Sequence, residues 1–243
     1  MNDLYTMIWK ESREYLYQRE NVRSSLGMWL IPVLILGIIF PLQYGSSWVT
    51  SPLTIISWVW VPLLIVARII ADSFAGERER HTLETLLASR LSDTTILMGK
   101  IIASMLYALA TAVLIMVVGL ITVNVTNRGS GILLYPASVV GAGLAISIIV
   151  AMFASTIGVL VSMRAKTVRQ AAQTLSLAII LLGFSPGLII TLMPKPAKDA
   201  LGIMLESVDL KTIAYVIFGA LIIADMVLLA ITRRIFRRNR LLA

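Results

Sequence analysis

The chain has 243 residues, of which 58% are hydrophobic and 14% charged, whereas a soluble domain is roughly half apolar and a quarter charged. This composition argues against a water-soluble globular protein and against intrinsic disorder. The absence of cysteine excludes disulfide scaffolds and cysteine-ligated zinc, and the single histidine, His81, disfavours a histidine metal site or catalytic triad. The net charge of +8 indicates either nucleic-acid binding or a membrane protein with basic residues on its cytoplasmic side.

The first 23 residues predict an amphipathic helix that lies in the cytoplasmic membrane interface. One helical face carries mainly apolar and aromatic side chains at i, i+3 and i+4 spacing: Leu4, Tyr5, Ile8, Trp9, Ser12, Tyr15 and Leu16. Trp and Tyr on such a face suit the headgroup region. We do not expect a cleavable signal peptide, because the apolar run begins too late and the segment carries both charge signs. The alternative is a solvated tail.

The rest of the chain predicts an all-α integral membrane fold, a single domain over residues 1–243 with six transmembrane helices. No charged residue lies between Arg23 and Arg68, a stretch long enough for two spans that the polar residues 43–47 separate. The six spans are expected at residues 26–43, 53–70, 101–123, 137–163, 172–193 and 212–232. Small residues in the fourth span predict close helix packing, namely Gly141, Gly143, Ala151 and Ser155.

The distribution of basic residues predicts the orientation of these spans. Six spans put both termini on one side of the membrane, and if that side is the cytoplasm, 17 of the 21 basic residues lie inside and 4 outside. Such a bias is expected of a multi-pass protein of the cell membrane with cytoplasmic N- and C-termini. The net charge is therefore a signal of topology, and the predicted partner is the lipid bilayer and not nucleic acid.

Residues 72–100 form one long cytoplasmic loop between the second and third spans. Gly76 predicts a break after the second span, and charges of alternating sign follow from Glu77 to Arg80. A short transverse helix is then predicted by the apolar stripe of Leu83, Leu86 and Leu87. Ser92 predicts the N-cap of the next helix. The transverse helix can dock in a groove of a partner; the alternative is that its leucines pack beneath the chain's own spans.

Two features inside the membrane are candidates for a substrate path. Asp225 lies within the sixth span, where an ionisable side chain costs about 2.5–3.5 kcal/mol on insertion scales. It is either a polar point on the path or a carboxyl group bonded to a neighbouring helix. The fifth span is expected to be interrupted at residues 183–187, which include Phe184, Ser185 and Pro186, with an ordinary kink as the alternative. Residues 194–211 predict a small outer loop or re-entrant element.

The sequence contains no recognisable catalytic motif. Its one Gly-Lys pair, Gly99-Lys100, has Thr94 in place of the first glycine of a phosphate-binding loop and leads into a membrane span. No H-E-x-x-H or G-x-S-x-G motif is present. We therefore predict that this chain is not an enzyme and that it holds no cofactor or metal. His81 is predicted to be a surface residue of the loop.

The cytoplasmic loop resembles the loop between the second and third spans of ABC type-2 transporter permeases. The similarity includes the order, spacing and position of the following residues: Glu77, Arg78, Glu79, Arg80, Thr82, Leu83, Glu84, Leu86, Leu87, Ser92, Gly99 and Lys100. The interfacial N-terminal helix and the long outer segment after the fifth span are also similar to that family. His81 and Arg90 depart from the pattern, because glycine and proline are common at these positions.

The resemblance implies a permease subunit of an ATP-driven exporter. Two copies, or one copy with a similar permease, would bind two separate ATPase subunits, which would hold ATP and Mg²⁺. The loop helix would be the coupling helix that enters a cleft of the ATPase, through Glu77, Arg78, Glu79, Arg80, Thr82, Leu83, Glu84, Leu86 and Leu87. The N-terminal helix would be the connecting helix that contacts the same ATPase, through Trp9, Lys10, Arg13 and Glu14. The alternatives are a secondary transporter or channel without an ATPase, and a non-transporting membrane immunity or scaffold protein.

Overall fold

A computed structural model of the chain describes residues 2–17, 30–127, 131–200 and 210–236, and all regular structure in these ranges is helical. The elements are α1 (Asn2–Tyr17), α2 (Leu30–Val49), α3 (Pro52–Glu79), α4 (Leu83–Ala88), α5 (Asp93–Thr126), α6 (Ala137–Arg164), α7 (Val168–Leu192) and α8 (Leu210–Ile235). The predicted all-α class is confirmed. Residues 18–29, which include the end of the predicted N-terminal helix and the start of the predicted first span, and residues 201–209 of the predicted outer element lie outside the described residues.

Among the described residues, five helices are long and apolar enough to cross a membrane, namely α2, α3, α5, α6 and α8. The predicted fifth span coincides with α7, whose apolar described part, Val168–Leu181, is shorter, so a sixth crossing stays a prediction. The predicted interruption at residues 183–187 is wrong, since α7 is helical throughout. A continuous helix keeps its backbone hydrogen bonds inside the segment, which a lipid environment strongly favours.

Helix α2 departs from regular α-helical geometry along most of its length. Its residues Val33–Ile39 form a wider π-helical segment, and Gly45, with φ of 54°, ends the α-helical part. Pro41 has no backbone N–H, so it cannot bond to the carbonyl of Gly37 four residues earlier. The hydroxyl of Thr122 on α5 donates to that carbonyl at 2.9 Å instead. The irregular helix is thus anchored to α5 by a side-chain hydrogen bond at its π-helical segment.

Helix α3 lies at the centre of the bundle and packs against α5, α6 and α7. Its middle is buried on several sides, with Val66, Ile70 and Phe74 fully enclosed. The helix continues through Gly76 to Glu79, so the predicted break at Gly76 is wrong. Helix α5 begins at Asp93, and Ser92 is its N-cap. The Oγ of Ser92 accepts a hydrogen bond from the Thr95 amide at 3.1 Å. Both helices therefore extend well beyond their predicted spans at the end where α4 lies, which we call the loop end.

Close contact between α3 and α6 depends on small residues, as the sequence predicts. A Cβ at Gly143 would overlap the ring of Trp58, whereas a Cβ at Gly141 would meet nothing within 4 Å. The hydroxyl groups of Ser155 on α6 and Ser104 on α5 are hydrogen-bonded at 2.9 Å. Gly143 and Ser155 are therefore contact positions, and Gly141 is not.

Candidate functional site

Helix α1 packs against the beginning of α5. Among its described side chains, Met7 and Glu11 are the buried ones, while Tyr5 and Trp9 remain 70% and 52% exposed. A Cβ at Gly99 on α5 would overlap Cγ of Met7, so the missing side chain allows the two helices to approach closely. Contact of the exposed rings with a headgroup layer stays a prediction, and sequence reasoning did not identify the face through which α1 joins the bundle.

A lysine–glutamate pair is buried at this contact. The side chains of Lys100 and Glu11 are 1% and 2% exposed, and Nζ of Lys100 donates to Oε1 of Glu11 at 3.0 Å. The ring of Phe74 on α3 lies 5.2 Å from the same ammonium group, measured to its centroid. The hydroxyl of Tyr15 donates to Oε2 of Glu11 at 3.4 Å. The two charges thus compensate each other inside the protein, which burial requires.

Glu77, near the end of α3, joins the same group of charges. Its Oε1 accepts a hydrogen bond from Nζ of Lys10 at 3.0 Å and lies 3.6 Å from Nζ of Lys100. Its Oε2 accepts from the hydroxyl of Thr82. Nζ of Lys10 also lies 3.5 Å from Oε1 of Glu11. We call Lys10, Glu11, Glu77 and Lys100 the charge network; it connects α1, α3 and α5.

Arg80 extends these contacts toward the surface. Its guanidinium lies 3.2 Å from Oε1 of Glu14 and 3.2 Å from Oδ2 of Asp72. Burial by itself lowers the pKa of Lys10, but the carboxylates of Glu11 and Glu77 outweigh it, so this pKa lies above the usual lysine value. The ammonium group of Lys10 therefore stays charged at neutral pH.

The other two charged residues between Glu77 and Arg80, namely Arg78 and Glu79, contact the turn between α6 and α7. The guanidinium of Arg78 donates to the carbonyl of Met163 at 3.1 Å and to that of Ala165. Oε1 of Glu79 accepts from the amide of Val168 at 3.0 Å, in the first turn of α7, where amides lack partners within the helix. Each of the four residues from Glu77 to Arg80 thus makes its own contacts within the chain.

The turn from α3 into α4 depends on His81. This residue has a φ of 57°, the one positive value among the non-glycine residues that the structure describes. The amide of Thr82 donates to the carbonyl of Glu77 at 2.9 Å and that of His81 to the carbonyl of Arg78 at 3.2 Å. This pattern is the helix ending that normally uses a left-handed glycine. His81 therefore stands at a position whose backbone conformation favours glycine.

Helix α4 turns part of its apolar stripe into the protein. Leu83 and Leu87 are 5% and 3% exposed and belong to the main core, and Leu86 is half-buried. Glu84 and Thr82 are exposed. Leu83 and Leu87 therefore pack against the chain's own helices in this conformation, as the alternative interpretation of the stripe expects. Contact of the loop with a partner stays a prediction.

One acidic group has the spacing of a metal site. The carboxylate oxygens of Glu11, Glu14 and Glu77 lie within 4.8 Å of one another. The ammonium groups of Lys10 and Lys100, however, lie 3.0–3.6 Å from these carboxylates, where a cation would bind. The arrangement fits a salt-bridge network better than a metal centre.

The predicted path residues lie on two helices that both pack against α6. Asp225 on α8 is 3% exposed, and its Oδ1 is buried without a hydrogen-bond partner among the residues that the structure describes. An unpartnered carboxyl oxygen at this depth is costly unless something binds it. Ser185 on α7 is half-buried. The side chains of Phe184 and Pro186 lie outside the described part of the chain.

The comparisons with known proteins agree with this architecture. The sequence model of the ABC-2 family transporter protein matches residues 41–217, more than half of the chain. The chain belongs to the ABC-2 transporter family. Curated proteins gave no match. Members of the family are non-catalytic membrane subunits that generally work with an ABC ATPase. The ABC-2 chain is thus a multi-pass membrane component of an ABC transporter, and the predicted membership of this family is confirmed.

Sequence reasoning about this ABC-2 chain missed Glu11 as a partner of Lys100. The available signal was the spacing of Met7 and Glu11, which share one side of α1 at i and i+4. A second signal was Lys100 itself, a cation that follows Ile96 and Leu97 and precedes a long apolar run. A charge in such a position needs a buried partner, although the sequence does not say which.

Proposed function

We propose that this chain is the permease subunit of an ATP-driven exporter, working as two copies or with a similar permease on two ATPase subunits. The observation that carries the proposal is the arrangement at the loop end. There the charge network connects α1, α3 and α5, while α4 presents exposed side chains beside it. A partner that moves α4 would act directly on the bases of two long spanning helices.

The loop end is proposed to face the cytoplasm, with the chain in the cell membrane and both termini inside. The charge bias of the sequence supports this orientation. Tyr5 and Trp9 are exposed on α1, as residues of the inner headgroup layer would be. ATP and Mg²⁺ would then be held by the ATPase on the same side.

The contact with the ATPase is proposed to use the outward side chains of the loop. Glu84 and Thr82 are exposed, and Trp9 and Arg13 are exposed on α1, where the guanidinium of Arg13 lies 4.6 Å from the Trp9 ring centroid. Glu77, Leu83 and Leu87 hold the loop in place instead, because they are already buried. This division refines the broader set that the resemblance implies.

ATP binding would bring the two ATPase subunits together and displace α4. The displacement would shift the permease between two conformations only through contacts that differ between them. Because ion pairs of Glu77 and Arg80 connect the loop to α1 and α3, the movement of α4 would be transmitted directly to the spans. No chemical step in this scheme belongs to the permease.

Asp225 is proposed to be a polar point on the substrate path. Its buried and unpartnered oxygen supports a role in accepting a hydrogen bond or a positive charge from a transported molecule. Asp225→Asn keeps the shape but removes the charge, and we expect it to reduce permease-stimulated ATP hydrolysis in proteoliposomes. Unchanged hydrolysis at unchanged protein level would contradict this role.

Co-purification tests the function. A tagged chain should bring down an ABC ATPase, and Glu84→Lys should weaken that capture by placing a cation where the partner is expected to contact an anion. Asp199→Lys makes a matched charge change at an exposed position beyond α7 and should leave capture intact. If the unchanged chain captures no ATPase, a secondary transporter, a channel or a non-transporting scaffold would replace the proposal.

A further inference from the structure

The charge network closes a triangle of contacts between three elements. Lys100 on α5 pairs with Glu11 on α1 at 3.0 Å and lies 3.6 Å from Glu77 on α3. Lys10 on α1 pairs with Glu77 at 3.0 Å, which completes the third side. Three elements joined pairwise cannot slide past one another unless at least one of these charge contacts breaks.

Lys100 has the least exposure in this triangle and contacts both other elements. Its side chain is 1% exposed, so water cannot replace a partner that moves away. Lys10 differs, because its side chain is 45% exposed and can be solvated. A displacement of α1 along α5 would therefore separate two buried charges, leaving Lys100 with Glu77 alone and Glu11 with Lys10 alone, which is unfavourable.

The backbone contact reinforces the same pair of helices. A Cβ built at Gly99 would lie 2.9 Å from Cβ of Met7, so α1 and α5 are already at the limit of approach beside Lys100. Tyr15 also contacts Tyr107 on α5 edge to face, with ring centroids 6.0 Å apart. The contact between α1 and α5 is thus both charged and sterically tight.

We propose that Lys100 is a positioning residue that locks α1 to α5, so that α1 and the bases of α3 and α5 move as one body when the ATPase displaces the loop. This role rests on the proposed function. In it, Glu11 and Glu77 are the two attachment points, and Lys100 is the residue through which α1 and α3 act on the third span. The relative movement of the transport cycle then occurs outside this body.

A reversible cross-link tests the proposal directly. The chain contains no cysteine, so the pair Met7→Cys and Gly99→Cys introduces the only two thiols. Their Cβ separation of 2.9 Å needs a small outward movement to reach the about 3.5–4.5 Å of a disulfide, in which the Sγ that takes the place of Met7 Cγ is bonded to the second Sγ. The complex with its ATPase is reconstituted in lipid, and permease-stimulated ATP hydrolysis is measured before and after oxidation.

If α1 and α5 move as one body, the oxidised complex hydrolyses ATP at the rate of its reduced form. A loss on oxidation that a reductant reverses would overturn the proposal, because it would mean that α1 must separate from α5 in each cycle. If the unchanged complex shows no permease-stimulated hydrolysis at all, the proposed function itself has failed. The two failures are therefore distinguishable.

Adding Lys100→Met to the same cysteine pair tests the residue. In the reduced form, the link between α1 and α5 is weakened while Lys10 still pairs with Glu77, and we expect stimulated hydrolysis to be lost. In the oxidised form, the disulfide replaces that link and hydrolysis should return. Hydrolysis that survives in the reduced form, or that oxidation fails to restore, would show that Lys100 does not position α1 on α5.

Discussion

Replacing Lys100 by methionine should destabilise the ABC-2 chain more than its modest change in volume suggests. The substitution removes the ammonium group that lies 3.0 Å from Glu11 and 3.6 Å from Glu77. Both carboxylates stay buried, at 2% and 5% side-chain exposure. The variant therefore leaves two negative charges close together in the protein with one fewer cation.

The size of the effect follows from the contacts that remain. Removing one partner of a buried ion pair costs about 3–5 kcal/mol, because the other charge is left uncompensated. Lys10 stays 3.0 Å from Glu77 and 3.5 Å from Glu11, so we expect the lower end of this range, about 3 kcal/mol. In a chain of this length that corresponds to a fall in melting temperature of about 6–12 °C.

Thermal unfolding of the purified protein in detergent, followed by tryptophan fluorescence, measures this fall. Lys166→Met is the matched control, because Lys166 is exposed at the corner after α6, and it should change the melting temperature by no more than about 2 °C. The double variant Lys100→Met/Glu11→Gln should recover most of the loss, since it also removes an uncompensated carboxylate. If Lys100→Met unfolds at the temperature of Lys166→Met, the buried pair does not stabilise the fold.

Three further predictions concern the rest of the fold. Burial raises the pKa of Tyr15 well above its usual value, and nearby carboxylates add to the effect; the folded chain keeps this proton when the unfolded chain loses it. Stability should therefore fall as the pH rises past about 10, and fall less in Tyr15→Phe, in thermal unfolding at increasing pH. The backbone of His81 is left-handed, with a φ of 57°, which glycine adopts without strain and valine does not. His81→Gly should therefore raise the free energy of unfolding by about 0.5–1 kcal/mol, and His81→Val should lower it by about 1–2 kcal/mol. Denaturant titration measures both changes. Gly143→Ala should cost about 1–3 kcal/mol by overlap with Trp58, whereas Gly141→Ala, which meets open space inside α6, should raise stability by about 0.5–1 kcal/mol in the same titration.

The membrane architecture could be predicted from the sequence because long apolar runs and a strong bias of basic residues leave few alternatives. The cap at Ser92 was also predictable, since a serine before Asp93 at the start of a helix satisfies a free amide. The family could be recognised because the charged loop combines a rare pattern with a fixed place after the second span. These signals depend on composition or on residues close together in the sequence, so one sequence is enough to detect them.

Contacts between distant segments could not be predicted in the same way. The pairing of Glu11 with Lys100 depends on how α1 crosses α5, and no local pattern in either helix specifies that crossing. The break expected at Gly76 is absent, and α6 contacts α3 just before this glycine, where Ser162 Oγ accepts from the Phe74 and Ala75 amides at 3.0 Å. Tertiary contact overrides the weak preference of one glycine.

The internal use of the charged run changes which residues can report on the ATPase. Glu77 to Arg80 looks like a surface offered to a partner, yet each of the four side chains binds another part of the chain. Reversing the charge of Glu77 would therefore disturb the fold as well as any partner, and a lost complex would have two explanations. Glu84 is exposed on α4, so a substitution there separates binding from folding. The residues from Glu77 to Arg80 set the position of α4, and this role is tested by measuring the stability of the chain. Helix α4 presents Glu84, whose role is tested by capture of the ATPase.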